Sequence, residues 1–194
     1  MPLFDLLDPY LIQQITQFLP SPLDAPLRAT CSRMHALIGA PARMSTNDLL
    51  KHGAQLGCAQ ICELAREWSR GGKQLLDFDD MLCGATKGGH RTLCELAREW
   101  ALASGQFLDF DCMLYYASFG GHRALCELAC EWARDVKRFL NFNNMLSGAA
   151  RGGHRTLCEL AREWGANNFN DMHRWATYGD HYALCELARE WGSY

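Results

Sequence analysis

Four histidines each stand four residues ahead of a cysteine: His90 and Cys94, His122 and Cys126, His154 and Cys158, His181 and Cys185. On a helix this spacing puts an imidazole and a thiol on one face, the nitrogen–sulfur combination that Zn2+ favours. It also sets a base beside a nucleophile, the minimum for thiol catalysis. The sequence completes neither chemistry. Each pair lacks third and fourth ligands, and a catalytic thiol needs exposure and an orienting group, whereas these cysteines recur on an apolar face. The glycine pairs are not followed by the Lys-Ser/Thr of a phosphate loop. Carboxylate neighbours such as Asp79-Asp80 fall in linkers, where they are expected to cap helices. No catalytic residue, metal or cofactor is expected.

Two further columns have chemical character. Trp68, Trp100, Trp132, Trp164 and Trp191 recur in register and could stack the bases of a single strand. The alternative is a core role, stacked on the next repeat's linker phenylalanines Phe78, Phe110, Phe142 and Phe169. The arginines Arg91, Arg98, Arg123, Arg155, Arg162 and Arg189 each neighbour glutamates, which describes a neutral solvated face rather than a nucleic-acid ridge.

These residues recur because the chain does. CELAREW begins at residues 62, 94, 158 and 185, and CELACEW at 126. Ahead of it runs a second block, MLCGATKGGHRTL from Met81, with counterparts from Met113, Met145 and Met172 and a degraded copy, LLKHGAQLGCAQI, from Leu49. Met81, Leu82 and Ala85 form one helical apolar stripe, and Gly88-Gly89 ends it. A second helix from about His90 carries Leu93, Cys94, Leu96, Ala97 and Trp100 on one face and alternating charge on the other. One helix pair cannot cover both stripes, so successive copies must stack.

Bulk properties agree. The net charge of −3 provides no global basic field for nucleic acid or an acidic membrane. Apolar residues at 48% exclude a disordered polar chain. No apolar run approaches the roughly 20 residues of a membrane span, and the N-terminus lacks a signal peptide's charged and apolar regions. Five of the ten cysteines, Cys62, Cys94, Cys126, Cys158 and Cys185, share one repeat position. Parallel helices about 8–10 Å apart cannot join them as disulfides, so they read as small core residues of an intracellular protein, in the cytoplasm or nucleus or inside a virion.

The block LCGATKGGH from Leu82, followed by RTLCELAREWA, resembles the inner helix, Gly-His turn and outer helix of an ankyrin repeat. The resemblance implies an all-α, ankyrin-like solenoid of five repeats, about 45–76, 77–108, 109–140, 141–168 and 169–194. It assigns the histidines to turns and the cysteines to the core. Asp-Met or Asn-Met replaces the family's Thr-Pro opening. The linkers ALASGQFLDFD and ARDVKRFLNFN are longer and more apolar than plain turns, so the family's β-hairpin finger is not expected. Repeats with this outer helix are similar to those of large DNA viruses of amoebae.

Residues 1–44 stand apart. Leu6 to Ile38 resembles an F-box, the module that docks a chain onto the Skp-type adaptor of cullin ubiquitin ligases, with Leu7, Leu11, Ile12, Ile15, Leu19 and Pro20 as matching positions. A helical cap on the array is the competing reading.

Two inner-helix positions vary while the scaffold repeats. One holds Lys51, Cys83, Tyr115, Ser147 and Arg174; the other, four residues on and so on the same face, holds Gln55, Lys87, Phe119, Arg151 and Tyr178. With Tyr116 and Trp175 they form an aromatic and basic face of hot-spot composition. The expected partner-binding residues are Lys51, Lys87, Tyr115, Tyr116, Phe119, Arg151, Arg174, Trp175 and Tyr178; drift on an idle surface is the alternative. The expected function is a non-enzymatic protein-interaction module, either a substrate adaptor joining a Skp-type adaptor to a target or a viral structural or host-interaction protein with no ligase link. Trp191, with no polar cap after it, leaves a homodimer open.

Overall fold

Aspartate and asparagine begin four of the five helix pairs. Asp77 accepts from the backbone N–H groups of Asp79 and Asp80, Asp109 from Asp111, Asn141 from Asn143 and Asn168 from Asp171. Each satisfies amides that open a helix and otherwise lack partners. Ser45 does the same for the remaining pair, in a capping box with Asp48. A computed structural model describes residues 45–72 and 75–192. The leader, with Leu7, Leu11, Ile12, Ile15, Leu19 and Pro20, lies outside the described residues, as does the side chain of Trp68.

Ten helices follow in series: α1 Thr46–Gln55, α2 Ala59–Gly72, α3 Phe78–Gly88, α4 Arg91–Ser104, α5 Phe110–Phe119, α6 Arg123–Asp135, α7 Phe142–Gly152, α8 Arg155–Glu163, α9 Phe169–Tyr178 and α10 Tyr182–Trp191. The described residues are all-helical, without a strand, and none of their helices is long and apolar enough to cross a membrane. Odd-numbered helices stack along the array as an inner row, and the even-numbered helices that follow them pack behind. Leu49-Leu50, Met81-Leu82, Met113-Leu114 and Met145-Leu146 are fully buried at successive levels, with Cys62, Cys94, Cys126 and Cys158 facing them from the outer helices. Burial pushes these four thiols up to about 12, 11, 12 and 12 respectively.

Three polar ladders run across the repeats. The first uses the second residue of each inner helix. Asn47, Asp79 and Asp111 accept the backbone N–H of Asp77, Asp109 and Asn141, and Asn143 accepts those of Asn167 and Asn168. The expected helix-capping role of Asp79 and Asp80 is therefore corrected. Asp77 is the cap, Asp79 reaches forward to the next repeat, and Asp80 pairs with Lys51 at 2.7 Å. Burial raises the Asp79 carboxyl pKa, and the charges of Asp77 and Asp109 add to that, against the Asp109 N–H bond. A carboxyl raised on folding weakens the fold where it is ionised and stops doing so as pH falls through its folded pKa. Asp79→Asn keeps the acceptor, as Asn47 and Asn143 do, so thermal unfolding at neutral pH should shift upward and the gain should fade in acid. A lower melting temperature at neutral pH would contradict this.

The second ladder uses the histidines. Nε2 of His90, His122 and His154 lies 3.1, 3.2 and 3.1 Å from the backbone carbonyls of Gln55, Lys87 and Phe119 in the preceding repeat. A carbonyl only accepts, so Nε2 carries the proton. The rings fill the space where side chains at Gly57, Gly89 and Gly121 would project, and Gly89 also has φ +79°. The Gly-Gly pair thus ends one helix and seats the next repeat's imidazole.

Arginine and tryptophan make the third. The tryptophans were expected to stack on the next repeat's phenylalanines; instead each of the four whose side chains are described meets the phenylalanine of its own helix pair, edge to face: Phe78–Trp100 at 6.0 Å, Phe110–Trp132 at 6.1 Å, Phe142–Trp164 at 5.5 Å and Phe169–Trp191 at 5.7 Å. In an antiparallel pair the start of the inner helix lies beside the end of the outer one, which is what brings these rings together. The contact between repeats comes from arginine: Arg66 lies 4.4 Å from the Trp100 ring, Arg98 4.8 Å from Trp132 and Arg162 4.7 Å from Trp191. Arg98 and Arg162 are therefore tryptophan covers, not simply members of a solvated face, and Arg162 reaches Trp191 from the preceding repeat. Arg91, Arg123 and Arg155 do pair with Glu95, Glu127 and Glu159 one turn on.

Cys130 breaks the arginine ladder. It occupies the position of Arg66 and Arg98, and the Trp164 that it should cover is half-buried where Trp100 and Trp132 are buried. Cys130→Arg restores the cover and should stabilise the fold by about 0.5–1 kcal/mol. Urea titration would measure the shift, and an unchanged or lower midpoint would refute it.

Candidate functional site

Repeat geometry decides which predicted residues meet. Ser147 and Gly148 are small, so the ring of Tyr115 on α5 reaches over α7 to Trp175 on α9, at 6.2 Å between centroids. Tyr116 packs edge-on against Tyr115 at 5.3 Å, and Trp175 against Tyr178 at 6.0 Å. At their centre stands Arg151. Its guanidinium donates to the Tyr115 hydroxyl at 3.0 Å and lies 5.2 Å from the Phe119 ring, 5.4 Å from Trp175 and 4.9 Å from Tyr178. Lys87 approaches Phe119 at 5.7 Å, and Arg174 approaches Trp175 at 5.4 Å while pairing with Asp171.

Eight of the nine residues expected on the inner face thus form one connected cluster. Lys51 does not join it: the Asp80 carboxylate engages its ammonium and raises its pKa. No described carboxylate forms an ion pair with Lys87 or Arg151, and Tyr178 is 69% exposed. A cation held between ring faces keeps its N–H edge available for a carboxylate while the rings provide contact area. This arrangement suits recognition of an acidic or hydrogen-bond-accepting segment. By accepting this hydrogen bond the Tyr115 hydroxyl raises the guanidinium pKa further above its ordinary value and fixes the orientation of a group that is charged in any case.

The His–Cys spacing yields something different. The described histidine nitrogens of repeats two to four address backbone carbonyls and the cysteines are buried. Among the described residues no three metal-ligating side chains are grouped.

A second surface escaped the sequence reading. Leu75, Phe107 and Phe139 are 87%, 94% and 97% exposed and stand 32 residues apart, one in each of the first three linkers between helix pairs. They border shallow grooves, one of about 480 Å3 between Phe139, Cys130 and Trp164. The linkers' apolar character was the available signal. Alternation with buried Leu76, Leu108 and the half-buried Leu140 shows why every second residue faces water. Rows of exposed apolar residues mark interaction surfaces.

No protein-family model matches the sequence, and no curated protein matches it.

Proposed function

We propose that the chain is a non-enzymatic protein-interaction module of ankyrin type whose inner-helix face takes an acidic segment of a partner protein. The observation that carries this reading is the Arg151 cluster. Its members, Tyr115, Phe119, Trp175 and Tyr178, come from positions that differ from repeat to repeat, on a scaffold that is otherwise reiterated. Selection of peptides from a random display library on the full chain tests it. Selected peptides should be rich in Asp and Glu, and Arg151→Ala or Tyr178→Ala should weaken them at least about tenfold, the loss of one charge-assisted contact. Arg123→Ala, on an outer helix, should change nothing. Binding lost instead in Phe107→Ser and Phe139→Ser, with Arg151→Ala unaffected, moves the site to the linker row and overturns the inner-face reading.

The F-box-like pattern of Leu7, Leu11, Ile12, Ile15, Leu19 and Pro20 supports a second part, docking onto a Skp-type adaptor inside the cell. Recombinant adaptor should bind the full chain and not Leu11→Arg or Ile15→Arg. Failure of the parent chain to bind leaves an interaction protein with no ligase link, of structural or host-directed type.

A further inference from the structure

Five cysteines do not follow the repeat, and two of those meet. Cys83, buried on α3, and Cys112, half-buried in the first turn of α5, come from adjacent repeats, and their sulfurs stand 2.8 Å apart. Other thiol contacts in the core are longer: Cys62 Sγ lies 3.7 Å from the Leu50 carbonyl and Cys94 Sγ 3.6 Å from the Thr86 hydroxyl. A bonded pair sits at about 2.0 Å, so closing the bond requires a movement of roughly 0.8 Å.

We propose that Cys83 and Cys112 are a reversible disulfide site that staples the second repeat to the third under oxidised-glutathione conditions. The inference is independent of the proposed function. Cys112 is the accessible member and attacks first. Its thiolate displaces one glutathione thiolate from glutathione disulfide, leaving a mixed disulfide at Cys112. The Cys83 thiolate then attacks the Cys112 sulfur and expels the second glutathione. The two protein thiols lose two protons and two electrons, and glutathione disulfide is reduced to two glutathione molecules. The 2.8 Å contact with Cys83 lowers the Cys112 pKa, while that contact and burial raise that of Cys83, in keeping with first attack by the more accessible thiol. Lys51, paired with Asp80 nearby, favours both thiolates.

The seam makes the staple consequential. Of the four inner-row seams, α3 against α5 has the least extensive contact, so a covalent link there adds most to the union of the two halves. Reduced chain placed in glutathione buffers of rising oxidised fraction, then alkylated and digested without reductant, should yield a peptide joining Cys83 to Cys112. The melting temperature should rise by about 5 °C or more on oxidation and return with reductant. Cys83→Ser and Cys112→Asn, residues that the array itself uses at Ser147 and Asn144, should abolish the shift. Cys83→Ser should instead hold glutathione as a mixed disulfide on Cys112. Peptide mapping needs no variant, so it decides the matter even if a variant folds poorly. Absence of the Cys83–Cys112 peptide, or its replacement by pairs involving Cys130 or Cys31, overturns the proposal.

Discussion

Alanine at position 148 is expected to lower the melting temperature by about 4–8 °C, equivalent to roughly 2 kcal/mol or more for a chain of this size. The sign is the informative part. Gly→Ala inside a helix ordinarily stabilises by about 1 kcal/mol, because alanine forgoes glycine's backbone entropy cost. At Gly148 a Cβ would press on the backbone carbonyl of Tyr115 and on the Ser118 hydroxyl, and at Gly84 on the carbonyl of Lys51. Backbone cannot swing aside as a flexible side chain does, so α7 must retreat from α5, and α3 from α1. In the other three repeats the same position carries His52, Tyr116 and Trp175, so small and large residues alternate along the array. Inner-row contact alternates accordingly, more extensive at α1/α3 and α5/α7 than at α3/α5 and α7/α9. Gly105→Ala is the control: nothing lies within 4 Å, and only its φ of +72° opposes a side chain, a cost of about 1–2 kcal/mol. If Gly148→Ala melts no lower than Gly105→Ala, the close approach of α7 to α5 is not what glycine provides.

The second large effect belongs to the tryptophans. Trp132 is 5% exposed, meets Phe110 edge-on and is covered by Arg98. Trp132→Ala should cost about 3–5 kcal/mol. Trp164→Ala, at the equivalent position but half-buried and beneath Cys130, should cost roughly half as much, since less area leaves water there on folding. Paired denaturant titrations give both numbers. Equal losses would mean that the arginine cover contributes nothing, and the Cys130→Arg gain should then be absent as well.

Much of this architecture was legible in the chain. The Gly-Gly breaks, the Met-Leu stripes and the reiterated CELAREW define helix lengths and order, because periodicity and punctuation are local properties. The grouping of Phe119, Arg151 and Tyr178 was also accessible, since one repeat position maps to one face. What escaped depended on how one helix pair is seated on the next. Sequence spacing did not say whether Phe110 serves its own tryptophan or a neighbour's. Arg98 and Arg162 stand beside glutamates in the chain, which concealed their place over rings. Cys83 and Cys112 occupy different repeat positions one helical turn apart, so no column links them. Asp77, Asp79 and Asp80 are all plausible caps until the next repeat claims one of them.

The direction of the first two ladders has a kinetic meaning. Asp109 N–H and His122 Nε2–H of the third repeat both donate backward, to Asp79 and to the Lys87 carbonyl of the second, and the same polarity holds for Asp77, His90, Asn141 and His154. In these two ladders a chain emerging from the ribosome presents acceptors first, which water can serve while they wait, and each new repeat arrives with the backbone and imidazole donors that meet them. The sequence separations involved are short and nearly constant, so contact order does not grow as the array lengthens. During synthesis, assembly of this kind should proceed as a zipper from the earlier repeats toward the later ones, because each joint needs only its two neighbouring repeats.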